Sequence, residues 1–284
     1  MQNKQLRTTI NYKGAEPISL IDVKTNTEYL WQADPVFWAS HAPILFPIIG
    51  SLKDGEYVYE GKNYSLPQHG FAKDMEFDLI SQNDSAASFS LKSNEQTVSA
   101  YPFRFELVVS YALVGRSLNV KYQVFNQDDK EIYFSIGGHP GFNCPLKAGE
   151  KRSDYQLVFA KREQANIHLK TGKLRSGETV PFLENENTIE ITDSLFDDGP
   201  LIFSTLQSGS LQLKKGDKRI LAFHFEGFPN LGIWSRSKTS PFICIEPWFG
   251  MTDPVYTNQK IEEKEGIVRL KAGEEFACQY TIEL

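Results

Sequence analysis

The sequence predicts an all-β protein, a large antiparallel β-sandwich with few short helices. Apolar and polar residues alternate with a period of two in many short runs, and turn-forming residues separate these runs at a spacing of about 8–12 residues. Aromatic residues, which favour strands, make up 13% of the 284 residues. No window of 12 or more residues repeats apolar residues at the i, i+3, i+4 spacing of a helix with proper capping residues. A β-propeller would instead require self-similarity with a period of about 40–50 residues, and the sequence has none.

The alternating runs pair into hairpins and single strands along the chain. The predicted hairpins join Tyr57–Tyr59 to Asn63–Leu66, Phe103–Tyr111 to Leu118–Val124, and Leu211–Leu213 to Ile220–Phe225. Further strands are predicted at Phe242–Glu246, Ile267–Leu270 and Phe276–Leu284. The only predicted helical turn covers Asp193–Phe196. Because no repeat and no low-complexity linker divides the chain, we expect residues 1–284 to form one domain.

Composition and charge exclude several classes of protein. Thirty Lys and Arg against 36 Asp and Glu give a net charge of −6, and the basic residues do not cluster, which argues against a nucleic-acid partner. The longest apolar stretches, such as Ala42–Ile49, are far shorter than the ~20 residues that span a bilayer. No apolar signal segment follows the N-terminus. We therefore expect a cytoplasmic protein without a membrane partner, either a monomer or a homodimer.

The three cysteines, Cys144, Cys244 and Cys278, are widely spaced and form no CxxC pair. This spacing gives no signature for a zinc or redox site, and free buried thiols suit a reducing compartment. Cys144 follows His139 by only five residues, but residues so spaced on a turn rarely form a nucleophile–base pair. We expect neither a metal nor a cofactor.

Four segments interrupt the strand pattern and concentrate unusual residues. They are His41–Gly50, Leu66–Phe71, Ile136–Pro145 and Ile243–Gly250. Two prolines exclude a central strand from the first segment, and each of the next two carries a histidine, His69 or His139, beside glycine or proline. In the fourth segment Glu246 ends an apolar strand, where an unpaired carboxylate is costly unless it serves a function. Trp248 follows it and suits a stacking surface for a sugar.

In their order and spacing, these segments resemble the aldose 1-epimerase (galactose mutarotase) family, and most closely its LacX-like branch. The matching stretches are His41-Ala-Pro-Ile-Leu-Phe-Pro-Ile-Ile-Gly, Pro67-Gln-His-Gly-Phe-Ala-Lys-Asp, Gly137-Gly-His-Pro-Gly-Phe-Asn and Cys244-Ile-Glu-Pro-Trp. Each motif is weak alone, whereas four in order within a β-rich chain are fairly specific. The resemblance implies a galactose mutarotase-like supersandwich that holds a monosaccharide substrate in a groove over one sheet.

The resemblance also implies roles for individual residues in interconverting α and β aldoses. Glu246 matches the catalytic base and His139 the acid that protonates the ring oxygen, while His69 matches a histidine that contacts the sugar near that oxygen. Ser51 stands where the family usually has an arginine, so the lost hydroxyl contact would pass to other residues. The remaining predicted substrate contacts are His41, Lys53, Asp198, Phe142 and Trp248.

Elementary acid–base chemistry fits these roles without a cofactor. Because an unperturbed Glu has a pKa of about 4.3 and an unperturbed His one of about 6.5, we expect Glu246 to be an anion at neutral pH. A nearby carboxylate would favour the protonated form of His139. A positioned acid or base commonly contributes about 10²–10⁴-fold for each proton transfer.

Three alternatives stay open, and the sequence does not identify the sugar. A sugar-binding or sensor protein with weak or no catalysis would fit the serine at position 51. A hexose-6-phosphate 1-epimerase would need a cationic cluster, and the four segments supply only Lys53 and Lys73. A glycoside hydrolase normally needs two carboxylates, and beside Glu246 only Asp253 is a distant candidate.

Overall fold

The computed structural model of the protein describes residues 1–284. Its strands, in chain order, are β1 (Leu6–Ile10), β2 (Pro17–Asp22), β3 (Thr27–Glu28), β4 (Ile44–Leu45), β5 (Glu56–Tyr59), β6 (Lys62–Ser65), β7 (Asp78–Gln82), β8 (Ala86–Lys92), β9 (Phe105–Val114), β10 (Ser117–Asn126), β11 (Ile132–Phe134), β12 (Ile136–Gly138), β13 (Gly141–Asn143), β14 (Tyr155–Thr171), β15 (Leu174–Glu190), β16 (Leu201–Ser204), β17 (Ser210–Lys215), β18 (Lys218–His224), β19 (Asn230–Trp234), β20 (Phe242–Phe249), β21 (Val268–Leu270) and β22 (Glu275–Glu283). The helix α1 spans Glu95–Ala100, and short 3₁₀ helices lie at Lys53–Gly55, Ala72–Asp74, Arg152–Asp154 and Ile261–Glu263.

Fifteen strands form one sheet in the order β4-β12-β20-β19-β16-β14-β17-β18-β22-β10-β9-β8-β7, with β13 also paired to β20 and β15 to β14. Smaller sheets contain β1-β2-β3, β11-β21 and β5-β6. All strand pairs registered in these sheets are antiparallel. The predicted all-β, antiparallel class is therefore confirmed.

One end of the long sheet faces the middle of the same sheet across the core. Phe142 of β13 packs on Phe223 of β18, with 6.0 Å between ring centroids. A Cβ added at Gly138 of β12 would lie 2.8 Å from the ring of Tyr280 in β22. Because a sheet of this size curls on itself, β12, β13 and β20 form a layer over β18 and β22. Buried side chains from the whole length of the chain, from Leu6 to Leu284, form one core cluster of 58 residues.

The three predicted hairpins are present as β5–β6, β9–β10 and β17–β18. The long strands β14 and β15, of 17 residues each, were not predicted. Their pairing shifts register at several points between Val158 and Lys170, and each shift breaks the alternation by which strands are recognised. This hairpin carries two residues of the candidate site.

The one predicted helical turn is wrong, and the one α-helix was missed. Asp193–Phe196 forms hydrogen-bonded turns outside any helix. The helix α1 is short and depends on its cap, because Asn94 accepts a hydrogen bond from the Thr97 amide (2.9 Å) and the Thr97 hydroxyl accepts one from the Asn94 amide (2.8 Å). The helix α1 has only six residues, and no helix of the structure is long and apolar enough to cross a membrane.

Candidate active site

The antiparallel register brings His139 and Glu246 together. Strand β12 ends at Gly138 and β13 begins at Gly141, and both pair with β20 in the same register. The two residues between them therefore continue along β20, and His139 lies opposite Glu246. Both side chains point to the same face of the sheet, and His139 Nε2 lies 3.2 Å from Glu246 Oε2.

Burial changes the acid–base properties of this pair. The side chain of Glu246 is 3% exposed and that of His139 is 10% exposed. Desolvation raises the pKa of Glu246 well above its ordinary value, and desolvation together with the neighbouring His69 lowers the pKa of His139. Burial therefore favours the uncharged form of the pair, in which the one proton that the two groups share lies on Glu246. The sequence predicts an anionic Glu246 beside a protonated His139, and burial disfavours this charged form of the pair.

Aromatic rings hold the imidazole of His139 in place. The ring of Trp38 lies over it at 4.8 Å between centroids, with 30° between planes. Trp234 and His69 each meet it edge-on at 5.6 Å. His139 Nδ1 is buried and has no hydrogen-bond partner within the protein. The orientation of the ring is therefore fixed by packing and by Glu246.

His69 lies on a strained loop above this pair. Its φ is +68°, a left-handed value that is uncommon for a residue other than glycine. The Gly50 amide donates a hydrogen bond to His69 Nδ1 (3.1 Å), so the proton of the neutral ring lies on Nε2. Burial, together with Lys73 and Lys170, lowers the pKa of His69 to about 4. At neutral pH His69 is therefore a neutral donor.

A cavity of about 490 Å³ opens onto these groups, and we call it the site cavity. Its volume lies within the range usual for small-molecule sites. Three of the four tryptophans of the chain line it, namely Trp38, Trp234 and Trp248. Trp248 lies flat on the sheet because Gly137 and Gly232 flank it on the neighbouring strands. A Cβ at either glycine would lie within 2.6 Å of the Trp248 ring. The buried Trp248 Nε1 has no partner.

Four cations also line the site cavity, and the sequence motifs indicated only one of them, Lys73. They are Lys73, Lys170, Lys173 and Arg236, and we call them the cationic wall. Lys170 and Lys173 lie at the tip of the β14–β15 hairpin, and Arg236 follows β19. The expectation that only Lys53 and Lys73 supply positive charge at the site is therefore wrong, since Lys53 lies outside the cavity and three further cations line it.

The site cavity has a single carboxylate. Of its lining residues only Glu246 is acidic. Asp253 is buried outside the cavity, where its carboxylate pairs with Lys264 and accepts a hydrogen bond from the Lys53 amide (3.0 Å). The second carboxylate that a glycoside hydrolase normally uses is not among the residues lining this cavity.

Four of the predicted substrate contacts do not reach the site cavity, namely His41, Lys53, Asp198 and Phe142. Phe142 is fully buried in the core, because its odd spacing from His139 turns it to the opposite face of the sheet. Asp198 is exposed on a turn. Of the predicted set, His139, Glu246, His69 and Trp248 do line the site cavity.

The other two displaced residues are held by local contacts. The backbone amide of His41 donates to the carboxylate of Glu16 at 2.8 Å, and burial lowers the pKa of the His41 ring. The Lys53 amide is bound to Asp253, and its carbonyl accepts a hydrogen bond from Gln259 (2.9 Å). Ser51, which stands at the expected arginine position, also lies outside the site cavity.

One group of potential metal ligands coincides with the candidate site. His139, Cys244 and Glu246 offer ligand atoms within 4.8 Å of one another, and all three are buried. Burial and Glu246 raise the pKa of the Cys244 thiol well above its usual value, whereas a metal ligand must be a thiolate. Glu246 and His139 already bond to each other. The trio therefore fits a proton-sharing pair better than a metal centre.

Comparisons with known proteins agree with this fold. The sequence profile of the family described as aldose 1-epimerase matches residues 1–280. The chromosomal protein LacX of Lactococcus lactis subsp. lactis is 36% identical over 280 residues, which cover 95% of this chain and 93% of that protein. A galactose mutarotase related enzyme from Lactobacillus acidophilus superposes with a TM-score of 0.94 at 35% identity, covering 100% of this chain and 95% of that one. A galactose mutarotase-like protein from Lactobacillus casei gives 0.92 at 32% identity, covering 100% and 98%.

Proposed function

Because the chain belongs to the aldose 1-epimerase family, we propose that its site cavity interconverts the α and β anomers of an aldose. The observation that carries the proposal is the buried contact of 3.2 Å between His139 Nε2 and Glu246 Oε2, at the floor of a cavity lined by tryptophans. Glu246 is its one carboxylate, which favours an isomerase over a glycoside hydrolase.

Ring opening requires two proton transfers, one at each of the two oxygens that are bonded to C1. Glu246 accepts the proton of the C1 hydroxyl while His139 donates a proton to the ring oxygen. The bond from C1 to the ring oxygen then breaks, and the C1 hydroxyl oxygen becomes the aldehyde oxygen. Rotation about the C1–C2 bond and reversal of both transfers close the ring to the other anomer. Because both oxygens are bonded to C1, an acid and a base that lie side by side can serve them.

The pair keeps one proton throughout this cycle. Before ring opening the proton is on His139 and Glu246 is charged, and after opening it is on Glu246 and both groups are neutral. Burial favours the second form, which accompanies the open-chain sugar. Hydroxyl groups of the cyclic sugar that donate to Glu246 stabilise the first form. The bound sugar therefore brings the two forms closer in free energy.

Two neighbouring groups orient the sugar. Nε2 of His69 carries the proton of its neutral ring and donates to a sugar oxygen beside His139. The Trp248 ring offers a flat apolar surface on which the C–H face of a pyranose stacks.

Optical rotation of freshly dissolved α-glucose and α-galactose tests the proposal. We expect the purified protein to accelerate the approach to anomeric equilibrium, and Glu246→Gln to lower that acceleration by about 10²–10⁴-fold. Glu283→Gln is the matched control, since Glu283 also bonds a histidine but lies outside the site cavity. Full activity in Glu246→Gln would remove Glu246 as the base.

A sugar-binding protein is the second candidate, and Ser51 at the usual arginine position favours it. Saturable binding of an aldose without faster anomer exchange would support binding alone.

A further inference from the structure

On the premise of the proposed function, we propose that the preferred substrate is a phosphorylated aldose, whose phosphate ester binds to the cationic wall. The wall consists of Lys73, Lys170, Lys173 and Arg236, which line the same cavity as the His139–Glu246 pair. They come from a 3₁₀ helix, a long hairpin and the end of β19. Four cations converge from three segments in a chain whose net charge is −6.

Most of the wall is not neutralised by the protein. Lys73 bonds the exposed carboxylate of Asp74. Lys170, Lys173 and Arg236 form neither a salt bridge nor a side-chain hydrogen bond. The only carboxylate in the cavity, Glu246, is occupied by His139 and is favoured in its uncharged form. Lys173 and Arg236 are exposed to water, whereas Lys170 is partly buried without a counter-charge, which a bound anion would supply.

Lys170 is a partly buried member of the cationic wall. Its side chain lies against Gly199, with Nζ 3.8 Å from the Cβ position there. Burial lowers the pKa of this ammonium group, and no carboxylate compensates it. Lys73 and Lys170 both act on the charge of His69, so these two members of the wall lie on the His69 side of the cavity.

The chemistry of the reaction decides where the phosphate is attached. The C1 hydroxyl must be free, because its proton is removed in ring opening, so a sugar 1-phosphate cannot react. The ester must lie on another carbon, and the exocyclic C6 of an aldohexose reaches furthest. A phosphate monoester carries about −1.5 to −2 charges at neutral pH, which matches several cations better than the single charge of a uronate carboxylate.

Exchange NMR at equilibrium measures the anomer exchange of glucose, galactose, their 6-phosphates, glucuronate and galacturonate under identical conditions. We expect kcat/KM for at least one 6-phosphate to exceed that of its parent sugar and of the matching uronate by at least about tenfold. We also expect 0.5 M NaCl to reduce this preference, since salt screens charges at a partly open site. Equal values for the free sugar and the phosphate would overturn the inference, and a preference for the uronate would assign the wall to a carboxylate instead.

Substitutions in the cationic wall test whether its residues cause the preference for the phosphate. Lys170→Gln and Arg236→Gln should each reduce the preference for the phosphate by about tenfold. The matched controls Lys218→Gln and Arg7→Gln lie outside the site cavity and should leave it unchanged. An unchanged preference in both wall variants would overturn the inference.

Failure of the proposed function has a different signature. If the protein accelerates no exchange but binds a 6-phosphate more tightly than the free sugar by titration, the epimerase is wrong and the phosphate site stands. If exchange of free sugars is accelerated and the phosphates gain nothing, the epimerase stands and the phosphate site is wrong.

Discussion

Two histidine–glutamate pairs in this protein have the same contact but different surroundings. His139 Nε2 lies 3.2 Å from Glu246 Oε2, and His224 Nε2 lies 3.2 Å from Glu283 Oε2. The first pair is nearly fully buried. In the second, the side chains are 44% and 33% exposed, and Arg219 also bonds Glu283 at 2.9 Å.

The surroundings, and not the contact, separate the two pairs. Burial raises the pKa of Glu246. At Glu283 burial acts in the same direction, but His224 and Arg219 outweigh it and hold the pKa of that carboxyl below its usual value. Glu283 is therefore an ordinary surface anion at neutral pH, whereas burial favours the uncharged form of Glu246. A histidine beside a glutamate indicates a catalytic pair only where water is excluded and a cavity adjoins it.

The largest expected difference between the pairs is in activity. We expect His139→Asn to lower kcat for anomer exchange by about 10²–10⁴-fold, because the acid for the ring oxygen is lost. His224→Asn should change kcat by less than about twofold, since its pair lies outside the site cavity. Polarimetry on both variants makes the comparison. A similar loss in both variants would mean that the buried contact has no special role.

The sequence predicted the central pair but not the walls around it. Residues 244, 246 and 248 alternate along one strand, so their common face follows from the period of two. The contact of residue 246 with residue 139 depends on the register of β20 against β12 and β13, which one sequence does not specify. By the same periodicity, Phe142 faces away from His139.

The cationic wall was missed for a different reason. Lys170 and Lys173 lie on a hairpin whose register shifts hide its strands, and Arg236 lies beyond a strand end. No local pattern distinguishes these residues from other surface cations. Only the packing of the hairpin over the cavity brings them to the site, and that arrangement depends on contacts distant in sequence.

The pH dependence of activity distinguishes a shared proton from two independent groups. The pair is active with one proton. Because the pKa of His139 is lowered, a second proton binds only well below pH 6.5, and because the pKa of Glu246 is raised, the last proton leaves only well above 4.5. We therefore expect kcat/KM to fall toward pH 4, where His69 also gains a proton, and to fall on the alkaline side at a pH well above 4.5. Polarimetry corrected for the buffer-catalysed rate measures the profile, and an acidic limb with its midpoint near pH 6.5, as for an unperturbed imidazole, would contradict the lowered pKa of His139.

A substitution beneath the Trp248 ring should have a smaller effect on activity than the loss of His139. In Gly232→Ala the new Cβ would lie 2.5 Å from the Trp248 ring, so the ring must move away from the sheet. We expect KM to rise by about tenfold with a smaller change in kcat, as measured by initial rates of anomer exchange. The double variant Gly232→Ala/Trp248→Phe should bind substrate better than Gly232→Ala alone, since a smaller ring relieves the clash. Additive losses would mean that the glycine does not act through Trp248.

The smallest expected effect is on stability, and here the order of the two pairs reverses. Glu283→Gln removes an exposed ion pair and should lower the free energy of unfolding by about 0.2–1 kcal/mol. The difference should disappear in 1 M NaCl, because salt screens exposed charges. Glu246→Gln should leave stability unchanged or raise it, since an amide, like the uncharged carboxyl group that burial favours, carries no charge and still donates to His139. Urea unfolding of both variants, with and without salt, makes the test. A large, salt-independent loss in Glu246→Gln would show that the buried pair stabilises the fold, and would weaken the case that it is kept for chemistry.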